Sequence, residues 1–138
     1  MKTSFRTESE AVRQARLEEL EKQKSQEDMG PNTIYFDYDR SDLSAEAQNI
    51  LKKIADILSS NPSYALDIAG HCDERGTIEY NLALGERRAR SAKKYLSALG
   101  ISGDRTSTIS YGEEKPVDSR STDEAWAQNR RDEFVFIK

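Results

Sequence analysis

Two long stretches of helical spacing, each framed by short strand-like runs, constrain the fold of this chain more than any other feature. The first begins after Ser44, a typical N-cap residue, and ends at Asn61, because Pro62 disfavours helix at the residue before it. Its apolar residues recur on one face: Ala47, Ile50, Leu51, Ile54, Ile57 and Leu58. The second helix is predicted from about Ile78 to Leu99, with Gly100 closing it.

Four short runs rich in β-branched and aromatic residues surround these helices. They are Thr33–Tyr38 (TIYFDY), Tyr64–Gly70 (YALDIAG), Thr106–Tyr111 and Glu133–Ile137 (EFVFI). A short helical piece is predicted over Glu124–Asn129, before the last strand. The order β-α-β-α-β-(short α)-β predicts an α/β sandwich, in which a mixed sheet of about four strands is covered by two main helices.

Residues 1–30 differ from the rest of the chain in their charge. They hold six Lys/Arg and seven Asp/Glu, and the helix-prone segment from Glu8 to Lys24 has only three large apolar residues on its stripe. A helix with so little to bury is marginal on its own. We interpret residues 1–30 as a charged tether or marginal helix rather than a partner-binding helix, and expect residues 31–138 to form the domain.

Charge and hydropathy exclude several classes of function. The net charge is -4, and no basic run is long enough to hold a phosphate backbone, so nucleic acid is not an expected partner. No apolar stretch has the length of a membrane span, and none near Met1 is typical of a signal segment. An exported protein would therefore be represented here in a mature or trimmed form. Cys72 is the one cysteine, which excludes an internal disulfide.

One arginine interrupts the apolar stripe of the second helix. Arg88 lies in line with residues at steps of three and four, namely Leu84, Ala92, Tyr95 and Leu99. A guanidinium there must reach the rim of the fold or meet a partner, because an unpaired buried charge is costly. The alternatives at this point are a structural ion pair, an arginine at the rim, and a ligand-binding group.

Asp73 follows the second strand, in the loop that leads into the same helix. Ligands tend to bind outside the carboxyl ends of strands, beside helix N-termini, so Asp73 and Arg88 are expected to face one cleft. Together they suit the zwitterionic head of an amino acid, with its ammonium at Asp73 and its carboxylate at Arg88. The alternative is that the two side chains only neutralise each other.

Other chemistries are poorly supported by the residues present. Residues 37–48 imitate a calcium loop, but the sixth and twelfth positions hold Asp and Gln instead of Gly and Glu. With one His and one Cys in the chain, a closed zinc site would need carboxylates, so no metal or cofactor is expected. A catalytic pair of His71 and Cys72 lacks an orienting third group, and Cys72 is expected to be a small filler. Trp126 is expected to cap the core.

Residues 70–89, GHCDERGTIEYNLALGERRA, resemble the central motif of the OmpA-like peptidoglycan-binding domain. That motif is Gly-His-x-Asp, a glycine three residues on, then Tyr-Asn, Leu and Arg-Ala, and every position is present. The flanks YFDYD at 35–39, YGEEKP at 111–116 and NRR at 129–131 agree as well. The resemblance spans residues 33–137 and implies the fold of the OmpA C-terminal domain. The segments DERGTIEYN and LGERRA resemble the sequences of the lipoprotein branch of the family.

The resemblance implies noncovalent, non-catalytic binding of the diaminopimelate in the peptide stem of peptidoglycan. The implied ligand-binding positions are Asp73, Arg88, Phe36, Asp37, Tyr38 and Leu84, and the supporting positions are His71, Thr77, Asn81 and Arg130. Two features depart from the family pattern. Cys72 stands where Thr or Ala is usual, and no lipobox cysteine is found near Met1.

The lipoprotein branch also implies a setting and a partner. The expected location is the periplasmic face of the outer membrane, through a lipid anchor absent from this chain. The expected partner is the propeller protein TolB of the Tol–Pal system, which serves envelope integrity and cell division. Two rivals remain: a wall amidase or peptidase, which would need a metal triad or an activated nucleophile, and a structural adaptor without a ligand.

Overall fold

The structure is a computed structural model that describes residues 26–27 and 29–138. The helix predicted between Glu8 and Lys24 lies outside the described residues. The elements in chain order are β1 (Gln26–Glu27), β2 (Thr33–Tyr35), α1 (Ala45–Ser60), β3 (Ala65–His71), α2 (Ile78–Ala98), β4 (Thr106–Gly112), α3 (Asp123–Asn129) and β5 (Arg131–Ile137). A 3-10 turn, Gly103–Arg105, precedes β4. None of the described helices is long and apolar enough to cross a membrane.

The strands form one mixed sheet with β3 and β5 at its centre. β3 pairs with β4 in parallel and with β5 in antiparallel fashion. β1 and β2 both pair antiparallel with the opposite edge of β5. The predicted mixed sheet is confirmed in its four main strands. β1 was not predicted, because two residues are too short to show a pattern.

The first predicted strand, Thr33–Tyr38, is shorter in the structure. It ends at Tyr35, which pairs with Arg131, the first residue of β5, and one further bond joins the N–H of Phe36 to the carbonyl of Arg130 at 2.9 Å. The chain then turns, and the N–H of Arg40 donates to the carbonyl of Asp37. The carbonyl groups of this turn become available to side chains from α2.

The core lies between the sheet and the two long helices. Alternate residues of β3 and β5, such as Leu66, Ile68, Phe134 and Phe136, are buried in it, while Asp67 and the residues between them face the open side of the sheet. α1 adds Leu51, Ile54 and Leu58, which are fully buried. The α/β sandwich predicted from the order of the elements is confirmed.

The helix boundaries follow the predicted caps. The Ser44 hydroxyl accepts the N–H of Ala47 at 3.1 Å, and α2 is followed by Gly100 with φ of 98°. The predicted apolar stripe of α2 was wrong at its C-terminal end, where Leu99 was expected to be buried. Leu99 is 40% exposed because it is the C-cap residue, and the fully buried Leu96 packs into the core instead.

Two glycines let α2 lie directly against β3. A Cβ atom on Gly70 would stand 1.9 Å from the carbonyl oxygen of Gly85, and one on Gly85 would stand 2.2 Å from the Ser110 hydroxyl. Only glycine at both positions allows the helix and strand to approach this closely. The approach places Arg88, nearly one turn after Gly85, beside the carboxyl end of β3.

Candidate ligand-binding site

A cleft of about 300 Å³ opens where β3 ends and α2 begins. Six of the residues predicted to form a site line it: Tyr38, Asp73, Thr77, Asn81, Leu84 and Arg88. The cleft therefore contains both members of the predicted charge pair. It also contains Asp39, Arg75 and Tyr80, which were not among the predicted site residues.

Arg88 is buried at the base of the cleft, with 1% of its surface exposed. Its guanidinium donates to three backbone carbonyls: Arg40 at 2.8 Å, His71 at 2.9 Å and Asp37 at 3.1 Å. The Phe36 ring covers it at 5.2 Å. Burial lowers the pKa of Arg88, but an arginine remains charged at any ordinary pH. In the described part of the chain Arg88 has no ion-pair partner within 4.0 Å.

The Phe36–Tyr38 segment contributes to the site in two ways. Tyr38 lines the cleft itself. Phe36 and Asp37 line a neighbouring cavity of about 430 Å³ together with Arg130, and reach the site only through Arg88, by the Phe36 ring and the Asp37 carbonyl. Arg130 donates to the Phe36 carbonyl at 2.8 Å, which fixes this segment against the start of β5.

Asp73 is buried, with 4% exposure, and its carboxylate is paired with Arg75. Oδ1 accepts from the backbone N–H and the Nε of Arg75, at 3.0 and 3.1 Å, and Oδ2 accepts from Nη2 at 2.8 Å. Arg130 Nη1 lies 3.7 Å from Oδ2. Burial raises the pKa of Asp73, but the bonds from Arg75 outweigh it, so the net pKa is below the ordinary value. Arg75, not Arg88, neutralises this carboxylate, so the alternative that Asp73 and Arg88 only neutralise each other is wrong.

The Arg75 guanidinium lies between two aromatic rings at the mouth of the cleft. Its central carbon is 4.0 Å from the Tyr38 ring centre and 4.1 Å from that of Trp126. Trp126 also donates to Glu74 at 3.0 Å. Trp126 is only half-buried and does not join the core, so the prediction that it caps the core was wrong. The spacing of Asp73 and Arg75, two residues apart, is the sequence signal that indicates their turn.

The opposite wall of the cleft holds a second carboxylate. Asp39 adopts φ of 56°, and its carboxylate accepts a hydrogen bond from the Tyr80 hydroxyl. A non-glycine residue in this region is uncommon and is often found at binding sites. Asp39 is solvent-exposed, so the cleft offers one open carboxylate beside the one that Arg75 already holds.

Thr77 and Asn81 brace the loop between β3 and α2. Thr77 caps α2 by accepting the N–H of Tyr80 at 3.0 Å. The buried Asn81 amide donates to the carbonyl of Arg75 at 3.0 Å and to the Glu113 carboxylate at 2.8 Å. These bonds connect the loop that carries Asp73 to the loop after β4, and fix the shape of the cleft.

His71 and Cys72 are neighbours in sequence but face opposite sides of the sheet. The buried His71 ring stacks on Tyr111 with centres 5.4 Å apart, and burial, assisted by the charge of Arg131, lowers its pKa to about 4. The Cys72 thiol donates to the Asn81 carbonyl at 3.2 Å inside the cleft, and burial raises its pKa to about 11. The two side chains therefore cannot act as a nucleophile and its base. No set of three or more potential metal ligands occurs among the described residues.

The cleft therefore combines a buried cation with carboxylates on two sides. Three of the five N–H groups of Arg88 are used by carbonyls, which leaves two for an external acceptor. The carboxylates of Asp73 and Asp39 can accept hydrogen bonds from a ligand donor that lies across the cleft from Arg88. This arrangement fits a small zwitterion, with one carboxylate and one ammonium.

Known proteins and one protein family are similar to this chain. Residues 35–130 match the OmpA family. Proteins named peptidoglycan-associated lipoprotein are similar in sequence: that of Agrobacterium fabrum is 47% identical over 78% of this chain and 62% of its own length. That of Brucella melitensis is 50% identical over 71% of this chain and 58% of its own. The chain thus spans about six tenths of the length of these relatives. The crystal structure of the lipoprotein from Burkholderia pseudomallei superposes with a TM-score of 0.75 at 40% identity, over 77% of this chain and 90% of that one.

Proposed function

The chain belongs to the OmpA family, and on that premise we propose that residues 31–138 form a domain that binds peptidoglycan noncovalently and does not cut it. The group recognised is the free end of diaminopimelate in the peptide stem, which carries one carboxylate and one ammonium. The observation that carries this proposal is the buried Arg88, which lines a cleft and makes no direct bond to a carboxylate of the described residues.

The carboxylate of the ligand binds to Arg88. The three carbonyls fix the guanidinium plane before any ligand arrives, so little side-chain entropy is lost on binding. Leu84, which is 5% exposed and lines the cleft, provides an apolar wall for the methylene chain of diaminopimelate. His71 supports the site through its carbonyl, which accepts from Arg88.

The ammonium of the ligand binds to Asp73. Its carboxylate stays ionised well into the acid range, because the bonds from Arg75 outweigh the effect of burial on its pKa. Arg75 has about a third of its side chain exposed, so it can share Asp73 with the incoming ammonium or move outward. Tyr38 forms the outer edge of the same pocket.

The wider role follows from the relatives and is part of the proposal. Proteins named peptidoglycan-associated lipoprotein share about half of their aligned residues with this chain. We place the protein at the periplasmic face of the outer membrane, held there by a lipid anchor and linked to the wall by the cleft. As a component of the Tol–Pal system it would bind TolB and act in envelope integrity and cell division.

Calorimetric titration with a muramyl tripeptide that ends in diaminopimelate tests the assignment. A charge-assisted hydrogen bond contributes about 1.5–3 kcal/mol, so Arg88→Ala should weaken binding by roughly tenfold to a hundredfold. Arg88→Lys keeps the charge but loses the planar geometry, and should recover part of that loss. Arg90→Ala, which removes an exposed arginine from the same helix, is the matched control. Unchanged affinity in a folded Arg88→Ala protein would refute the proposal.

The absence of catalysis needs its own experiment. Purified wall sacculi are incubated with the protein and then sedimented. We expect the protein in the pellet and no soluble muropeptide in the supernatant. Release of wall fragments would favour an amidase or peptidase instead, and failure to sediment would favour an adaptor that does not bind the wall.

A further inference from the structure

A second buried ionisable group lies behind the cleft, on β5. Asp132 has no exposed surface, and neither carboxylate oxygen has a hydrogen-bond partner among the described residues. It alternates with Phe134 and Phe136, which belong to the core, so its side chain is on the helix-covered face of the sheet. A buried carboxyl without a partner is rare in folded proteins and requires an explanation.

The surroundings of Asp132 contain one full charge. Among the described residues, two ionisable groups interact with it electrostatically: Arg88 of α2, and Cys72 in the loop after β3. Its cross-strand neighbours are Ile34 of β2 and Gly70 of β3, which do not titrate. The buried residues of α1 are all apolar. Its sequence neighbours on β5 have the alternate orientation and face the other side of the sheet.

The charge of Asp132 conflicts with the binding of an anionic ligand. When ionised, Asp132 compensates Arg88, which otherwise has only carbonyl partners. A ligand carboxylate at Arg88 would then place two negative charges beside one guanidinium in a buried site. Two carboxylates that share such a site do not both stay ionised.

We propose that the cleft binds its carboxylate ligand together with one proton, which Asp132 takes up from solvent. The net charge of the buried group stays at zero: Arg88 and ionised Asp132 before binding, then Arg88, the ligand carboxylate and neutral Asp132 afterwards. This inference rests on the proposed function, since it concerns the same Arg88 site. It makes Asp132 a positioning residue that links wall binding to pH.

The direction of the effect follows from the environment of Asp132. Burial raises its pKa well above the ordinary value, and the charge of Arg88 opposes that rise. A ligand carboxylate on Arg88 cancels the opposition, so the pKa of Asp132 is higher in the complex than in the free protein. Affinity therefore falls as pH rises through the pKa of Asp132 in the free protein, by at most about tenfold per pH unit for one proton.

Titration of the muramyl tripeptide from about pH 5 to about pH 9 tests the coupling. The unmodified protein should lose affinity at the alkaline end, and its binding heat should depend on the ionisation enthalpy of the buffer. Asp132→Asn keeps the shape without the charge, and should bind with no such pH or buffer dependence. Glu133→Gln, which neutralises the next carboxylate along β5 on the opposite face, should behave like the unmodified protein.

A second measurement does not need a variant. The ¹³C signal of the Asp132 carboxyl, followed through a pH titration, should give a higher pKa with ligand than without. Equal pKa values in the two states, or equal pH profiles for Asp132→Asn and the unmodified protein, would overturn the coupling and leave the proposed function intact. Failure of the unmodified protein to bind the tripeptide at any pH would overturn both.

Discussion

Two buried arginines lie at the same end of the sheet, on opposite faces, and they differ in their partners. Arg131, on the open face, donates to the Glu133 carboxylate at 2.7 Å and to the carbonyls of Asn129 and Lys115. Arg88, on the helix-covered face, donates to three carbonyls and has no ion pair in the described chain. Each is at most 4% exposed.

The comparison separates a structural arginine from a binding arginine. A guanidinium with an internal carboxylate is neutralised and has little to offer a ligand. A guanidinium that is bonded only to carbonyls is fixed in place but keeps N–H groups for a ligand carboxylate, and Arg88 presents them to a cleft, since Asp132 interacts with it without a hydrogen bond. Changes on the Arg88 side should therefore alter affinity, and changes on the Arg131 side should alter stability alone.

Gly70→Ala should damage the Arg88 side most severely. The new Cβ atom would meet the Gly85 carbonyl at 1.9 Å, so α2 must move away from β3 and take Arg88 with it. Overpacking of this kind costs about 3 kcal/mol or more, and tripeptide binding should be lost as well. Urea unfolding and calorimetry measure the two effects. Gly103→Ala, where the nearest atom is 3.9 Å away, is the control, and equal stability of the two variants would contradict the packing argument.

His71→Phe should act on the Arg131 side without changing affinity. The pKa of His71 is about 4 when folded, so the unfolded chain binds the proton first on acidification. Stability should fall between about pH 6.5 and about pH 4, by roughly 3 kcal/mol in total. His71→Phe keeps the stacking on Tyr111 and should remove this fall. An unchanged slope in urea unfolding across that range would assign the acid sensitivity to other groups.

Arg131→Ala should lower the free energy of unfolding by about 1–3 kcal/mol, because it leaves two carbonyls and the half-exposed Glu133 without their donor. Affinity for the tripeptide should change by less than about twofold. Arg120→Ala, at an exposed arginine paired with Asp118, should change neither. If Arg131→Ala loses as much affinity as Arg88→Ala, the proposed difference between a structural and a binding arginine is wrong.

Arg75→Ala should shift the acid limit of binding. Hydrogen bonds from the backbone and the side chain of Arg75 hold the pKa of Asp73 below its ordinary value against the effect of burial. The variant keeps the backbone bond and loses the side-chain bonds and their charge, so the pKa of Asp73 should rise. Because the ammonium needs an ionised Asp73, affinity should begin to fall at a higher pH in the variant. Calorimetry from about pH 7 to about pH 3.5 measures the shift. If affinity falls over the same acid pH range in the variant and the unmodified protein, Asp73 does not hold the ammonium.

Much of the fold could be predicted from the sequence because its helices and strands are strongly periodic. Ser44, Gly100 and the apolar residues of the first helix gave boundaries within one or two residues. Arg88 stood out for the same reason, as a charge in an apolar stripe. Its partners could not be predicted, since every residue has a carbonyl and only the tertiary fold decides which three converge.

Sequence patterns also indicate the positions of Asp132 and of the pair Asp73 and Arg75. Asp132 alternates with Phe134 and Phe136, so the period of two already placed it on the buried face. Asp73 and Arg75 are spaced for a turn. The position of Asp39 opposite Tyr80 could not be foreseen, because it depends on a left-handed residue in a loop without periodicity.

A crystal structure of the protein with the muramyl tripeptide tests the central claim most directly. We expect one carboxylate of diaminopimelate within hydrogen-bond distance of the Arg88 guanidinium, and the ammonium beside Asp73. A ligand bound elsewhere, with the Arg88 cleft empty, would contradict the account and leave the fold as its only sound part.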